Sequence, residues 1–218
     1  MENTILQFEH VTGKNRKFHL TDVSFSLPAG YLMGIAGKNG AGKTTLIDYI
    51  MNPKIQYNGT IRLCGEDIRN NHARSLGMIG FVSERNQFFC ECSAEKNAQL
   101  LGGFYPNFDM EMFQTAMRKM EVRTGKIVGK MSRGEWMRFQ MAFAMSHGTK
   151  LYLLDEATAG MDPVFRVDFF HILHEIIKDE QASVLMATHL VEELEHKIDY
   201  IGIMENGQMS SFGESMPL

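Results

Sequence analysis

Three cysteines, Cys64, Cys90 and Cys92, are all the thiol this chain carries. An odd number with no second close pair builds neither a disulfide framework nor a four-cysteine metal site. Free thiols in a reducing compartment are expected. Positive charge is also scarce: 22 Lys and Arg face 26 Asp and Glu, the net charge is −4, and no long basic run occurs. This disfavours a chain whose main work is gripping nucleic acid by counterion release. No apolar stretch reaches the about 18 residues that a membrane-spanning helix needs. The start, Met1-Glu2-Asn3-Thr4, lacks the basic residues and apolar core of a signal peptide. A cytoplasmic location is expected, with any span supplied by another chain. There is no internal repeat and no low-complexity tail.

What is present is an ordinary soluble composition, 44% hydrophobic and 22% charged over 218 residues, enough for one large core with room for an inserted subdomain. Within it stands Gly37-Lys38-Asn39-Gly40-Ala41-Gly42-Lys43-Thr44, which meets every fixed position of G-x-x-x-x-G-K-[ST]. The apolar residues 31–36 read as a buried strand and 45–51 as the first turns of a helix. Glycines at 37, 40 and 42 let successive N–H groups turn toward one anion, and the helix N-terminus adds its partial positive charge. Gly37, Asn39, Gly40, Ala41, Gly42, Lys43, Thr44 and Thr45 are therefore the candidate contacts to a nucleoside triphosphate. Lys43 would reach the β- and γ-phosphates and the Thr44 hydroxyl would ligate Mg²⁺.

The remaining pattern alternates. Strands are expected at 5–11, 20–27, 60–64 and 77–82, with Asn58-Gly59 as a turn before the third of these. Residues 83–148 change character: helices are expected at 93–101, 109–120 and 134–146, separated by Gly, Pro and Asn breaks. Methionines are dense there and read as core filler. A strand at 151–154, a helix at 163–178, a strand at 183–187 and a short acidic helix around 190–196 follow. Segments 200–204 and 208–212, joined by Glu205-Asn206-Gly207, read as a hairpin. The fold class is α/β, a phosphate-loop core interrupted by helices, with core residues 1–82 and 149–218 and a helical subdomain at about 83–148.

Leu151-Tyr152-Leu153-Leu154-Asp155-Glu156 is the second signal: an apolar strand ending in two carboxylates, at the edge where ligands bind to parallel sheets. Asp155 suits the Mg²⁺ shell, and Glu156 suits the orientation or deprotonation of a water. His189, after another buried strand, can donate to a γ-phosphate. His171 and His174 share a helix face without a third ligand. Ser132 suits an N-cap, and Ser132 and Gly134 at a helix start also suit phosphate. One chain needs no second phosphate site, but two chains facing head to tail can each lend theirs.

The ordered set resembles the ATP-binding cassette family: the loop 37–44, then Ser132-x-Gly134, Asp155-Glu156, Ala159-Gly160-Met161-Asp162 and His189. The resemblance implies a phosphate-loop core of the RecA-like kind, an antiparallel β-subdomain and an inserted helical signature subdomain. It implies a dimer with two Mg²⁺-ATP at its interface, each held by Lys43 of one subunit and by Ser132 and Gly134 of the other. Asp162 would bridge the sites, and Glu156 would be the catalytic carboxylate. Glu84 stands where the family commonly has glutamine and would contact Mg²⁺ or water, though it cannot donate as an amide does. Met131, Arg133 and Glu135 depart from the usual Leu-Ser-Gly-Gly-Gln signature. Ala157 replaces a usual proline. Phe18, or less directly Phe8, is the candidate adenine-stacking aromatic.

The function this implies is ATP hydrolysis powering a separate membrane permease, docked along 83–104 with Phe88, Phe89 and Phe104 as candidate anchors. Similarity to bacterial exporter-type cassettes around 162–166 points to a drug, peptide or lipid-like cargo. Two alternatives stay open. A soluble, non-transport ATPase of this family would usually carry coiled-coil insertions, a second cassette or a basic surface. A degenerate cassette would bind ATP without hydrolysis. Guanine reading is not expected, because no Asn-Lys-x-Asp occurs.

Overall fold

A computed structural model of the chain describes residues 4–15, 18–85, 87–158, 161, 163–178, 182–189, 194 and 197–215. The elements run β1 (Thr4–Asn15), β2 (Phe18–Pro28), β3 (Leu32–Ala36), α1 (Lys43–Met51), β4 (Tyr57–Leu63), β5 (Glu66–Asp67), α2 (His72–Gly77) and β6 (Ile79–Ser83). Then come α3 (Ala94–Gly102), α4 (Met110–Lys119), a 3-10 turn at Val128–Lys130, α5 (Arg133–Met145), β7 (Leu151–Asp155), α6 (Pro163–Ile177), β8 (Ser183–Thr188), β9 (Tyr200–Glu205) and β10 (Gln208–Glu214).

Two sheets form. The smaller is antiparallel, in the order β2-β1-β4-β5. The larger has the order β10-β9-β3-β8-β7-β6, parallel from β9 through to β6, with β10 returning antiparallel at one edge. Strands β3, β7 and β8 are buried at every residue because both of their faces are covered. Successive residues of β7 show this. Leu151 and Leu153 join a core with Phe8, Leu27 and Leu46, while Tyr152 and Leu154 join a second core with Phe139, Phe143 and Met186. Each such leucine, fully buried, contributes about 1.5–3 kcal/mol. Met117, Met137 and Met141 fill the second core as expected of flexible apolar side chains.

Register sets the site. Ile35 pairs with Ala187, Ala187 with Asp155, and Asp155 with Ser83, so four adjacent parallel strands are level at their C-terminal ends. One residue or two beyond that row lie Gly37, His189, Glu156 and Glu84.

Two local expectations are corrected. Asn58-Gly59 is not a turn: both residues lie inside β4, opposite a register shift in β1. Gly59 has φ 88, and a Cβ there would sit 2.4 Å from the carbonyl oxygens of Glu9 and His10. The glycine answers a bulge with His10 at φ 49, not a chain reversal. Helix α2, short and polar, has no counterpart among the elements expected from the sequence. The hairpin at the end does form, and Asn206 and Gly207 have φ 49 and 81, as a type I′ turn requires. The helix expected at 190–196 lies outside the described residues except for Leu194.

Candidate functional site

The loop after β3 turns through Gly40 at φ 82 and Gly42 at φ 113 before α1 begins at Lys43. A Cβ on Gly42 would come within 2.7 Å of the Phe18 ring, so the close approach of loop and aromatic also requires glycine. Lys43 is only 5% exposed. Its ammonium donates to the carbonyls of Gly37 at 2.7 Å and Lys38 at 3.2 Å, and lies 3.4 Å from Glu156. The loop is thus curled around a cation, with the Ala41 N–H closing it onto Lys38 O at 3.0 Å.

Above it opens a cleft of about 340 Å³, lined by Asn39, Gly40, Gly42, Lys43, Thr44 and Thr45, with Phe18, Glu84, Glu156 and His189 on the other walls. Gly37 and Ala41 line the far side of the loop, toward Met204 and Asn206. Of the two candidate aromatics, Phe8 is buried and stacked on Phe25 at 4.7 Å, which leaves it no free face. Phe18 is the one in the cleft wall.

Thr44 Oγ1 donates to Asp155 Oδ1 at 3.0 Å. Burial pushes the Asp155 carboxyl above its ordinary range, against the opposing pull of the Thr44 hydroxyl and the Arg85 guanidinium. A hydroxyl and a buried carboxylate in contact form a hard oxygen pair, the donor type Mg²⁺ takes alongside phosphate and water. Among the described residues no group of three His, Cys, Asp or Glu could hold a metal unaided, and His171 and His174 are both exposed.

Glu156 shows why two successive carboxylates can serve one cleft. A continued strand would send its side chain to the face opposite Asp155. Instead Glu156 takes φ 53, left-handed backbone uncommon outside glycine, and its N–H donates to Ala187 O at 2.9 Å. Its Oε2 meets His189 Nδ1 at 2.7 Å.

Ser132 and Gly134 do not enter this cleft. They lie at the start of α5, where Ser132 and Glu135 form a reciprocal capping box: the Ser132 N–H donates to Glu135 Oε2 at 2.8 Å, and the Glu135 N–H donates to Ser132 Oγ at 3.3 Å. Lys126 Nζ adds a contact to Glu135 at 2.6 Å and is the main reason its carboxyl falls to about 2. Asp162 lies outside the described residues. Glu84 is in the cleft wall, but its carboxylate is ion-paired with Arg133 on α5. The two stand 49 residues apart in the chain, and sequence reasoning does not pair them. Arg85, next in the chain, is tied to Asp48 of α1 at 3.0 Å.

A parallel sheet with a phosphate loop after its central strand, and carboxylates after the second strand over, defines a phosphate-loop nucleotide-binding protein. The sequence model of the ABC transporter family matches residues 20–159, and the chain belongs to that family. The bacitracin transport ATP-binding protein BcrA of Bacillus licheniformis is 29% identical over 191 residues, 86% of this chain and 62% of that protein. The ABC transporter ATP-binding protein YtrB of Bacillus subtilis is 27% identical over 192 residues, 88% of this chain and 65% of that protein. The chain therefore spans under two thirds of the length of both. A solved ATP-binding subunit of an ABC transporter superposes with a TM-score of 0.85 at 22% identity, over 96% of this chain and 90% of that one. Clostridium perfringens cbiO1, part of an ABC transporter complex, gives 0.83 at 24%, over 98% and 90%. At these identities the structures speak for the fold.

Proposed function

We propose that this chain binds and hydrolyses Mg²⁺-ATP as the motor subunit of an ABC transporter, powering a separate membrane permease that exports a drug, peptide or lipid-like cargo. The observation that carries the chemistry is the meeting of Thr44, Asp155, Glu156, His189 and Lys43 around one cleft. Lys43 and the amides of residues 39–45 would hold the phosphates, and Phe18 would offer its ring to the base. Thr44 and Asp155 would hold Mg²⁺, with Glu84 as a further oxygen donor. The ion, when bound, neutralises phosphate charge and polarises the transferred group.

Glu156 would orient the attacking water and take its proton. His189 would hold that carboxylate in place. With Nδ1 donating to Glu156, its Nε2 is the ring nitrogen left to face a γ-phosphate. Ser132, Gly134 and Asp162 would complete the site of a second cassette, identical or not, in a head-to-tail dimer. Their position away from the chain's own cleft supports this reading, as far as Ser132 and Gly134 are described.

The helical stretch at about 83–148 would be the signature subdomain and carry the permease contact. Phe104 and Phe89 are 80% and 52% exposed and support that surface. Phe88 does not: it packs against Trp136, Phe139 and Phe143. No helix among the described residues is long and apolar enough to cross a membrane. Recruitment to the inner face of the cell membrane would come through the permease.

The test is affinity purification of the tagged chain from solubilised membranes of its host, with phosphate release assayed in the same fractions. A bound multi-span protein with Mg²⁺-dependent ATPase activity is expected. Activity confined to a fraction bound to nucleic acid or ribosomes would overturn the transport reading, and ATP binding without turnover would overturn hydrolysis.

A further inference from the structure

Two charges bridge the cleft and the first turn of α5. Glu84 Oε1 is ion-paired with Arg133 Nη2. Glu84 lines the cleft beside Lys43, Thr44 and Glu156, and it also lines a neighbouring groove with Arg133 and Trp136. Its backbone has little freedom to follow its side chain. Ser83, one residue earlier, is buried and clamped to α5. Its N–H donates to Gln140 Oε1 at 3.1 Å, and its carbonyl accepts from Gln140 Nε2 at 2.9 Å and Trp136 Nε1 at 3.1 Å. On the other side, Arg85 is held by Asp48. Glu84 thus follows directly on a clamped residue and borders both cavities.

Electrostatics says which of the two its carboxylate faces. Arg133 is the first residue of α5, at the positive end of the helix dipole, where a cation is disfavoured unless a carboxylate offsets it. The cleft already contains Asp155 and Glu156 against one ammonium, that of Lys43, so a third carboxylate is disfavoured there until a divalent cation arrives. Both terms send Glu84 to Arg133 in the nucleotide-free chain. A divalent cation held at Thr44 and Asp155 reverses the second of them.

We propose that Glu84 exchanges partners. Paired with Arg133 in the absence of nucleotide, it turns to the cation of bound Mg²⁺-ATP and leaves Arg133 uncompensated on the first turn of α5, beside Ser132 and Gly134. The proposal rests on reading the cleft as a Mg²⁺-ATP site. Arg133 is then a positioning residue for Glu84, and the exchange transmits occupancy of the cleft to the end of α5 proposed to face a second cassette.

Trp136 is the chain's only tryptophan, lies one turn along α5 from Arg133, and donates to Ser83, so it reports on this junction without a label. The experiment is a titration of the intact chain with Mg²⁺-ATP, and with ATP plus chelator, following Trp136 emission and, separately, ATP affinity by equilibrium dialysis. In the unaltered chain Mg²⁺-ATP is expected to change the emission and chelated ATP to leave it unchanged. Arg133→Gln and Glu84→Gln should each abolish the change, and Arg133→Lys should restore it. Arg133→Gln should tighten Mg²⁺-ATP binding about two- to fivefold, because an exposed ion pair no longer has to be broken. In the Glu84→Gln background the same substitution should have no effect on affinity. Emission that responds alike to both nucleotide forms, or affinity effects that multiply independently, would overturn the exchange while leaving the site intact. A chain that binds no Mg²⁺-ATP would overturn the site itself.

Discussion

Thr44 and Asp155 stand 111 residues apart in the chain and share a hydrogen bond of 3.0 Å. One opens the helix behind the phosphate loop and the other closes a strand two positions away in the sheet. Their contact is what turns two sequence motifs into one site.

Asp155→Asn should separate the two roles of that contact. Asparagine keeps an acceptor for the Thr44 hydroxyl but removes a buried charge whose carboxyl burial already pushes upward. The expected result is a nucleotide-free chain whose Tm rises by about 2–4 °C, the shift that about 1 kcal/mol produces in a chain of this size. Mg²⁺ should no longer strengthen ATP binding. Differential scanning fluorimetry with and without Mg²⁺-ATP checks both parts.

Glu156→Gln should retain ATP binding and lose turnover by about 10²–10⁴-fold, the usual contribution of a positioned general base. Phosphate release alongside equilibrium binding measures the pair. Normal hydrolysis by this variant would remove Glu156 from the catalytic role.

The capping box predicts a pH signature. The Lys126 ammonium, and after it the Ser132 N–H, lower the Glu135 carboxyl from 4.5 to about 2. A carboxyl depressed in the folded state contributes stability that is complete above its unfolded value and is lost as pH falls through its folded value. Urea unfolding of the unaltered chain and of Glu135→Gln should differ by a constant amount above about pH 5 and converge as pH falls toward about 2. A gap that widens on acidification would refute the assignment.

Phe88 and Phe104 should part company. Phe88→Ala opens a hole against Trp136, Phe139 and Phe143, and is expected to cost about 2–4 kcal/mol in urea unfolding. Phe104→Ala, at an 80% exposed side chain, should leave stability within about 0.5 kcal/mol and weaken capture of a membrane partner. Equal stability losses would argue against Phe104 as a surface anchor.

Much of this was legible in the sequence because the signals were redundant. The apolar runs of β3, β7 and β8 are buried on both faces, and the phosphate loop has fixed glycines. Ser132, Ser93 and Asp109 each cap the helix they were expected to start. Misreadings came where one local pattern has two physical solutions. Asn58-Gly59 suits a hairpin turn and equally a strand that must clear a bulge, and only the register of β1 decides. Phe88 and Phe89 are adjacent and chemically identical, yet one enters the aromatic cluster while the other faces out. The Glu84–Arg133 pair depends on how α5 lies over β6, which no local pattern encodes.

The level strand ends make the sheet a ruler. Neighbouring strands sit about 4.8 Å apart, so the three intervals from Gly37 to Glu84 mark out about 14 Å in steps fixed by main-chain hydrogen bonds. Side chains behind that edge can be exchanged, core for core, without changing the graduations. A chain only 29% identical to a relative over 191 aligned residues can therefore keep the spacing of its working groups. What such divergence can alter freely is which charge stands at each mark, and here one mark carries Glu84.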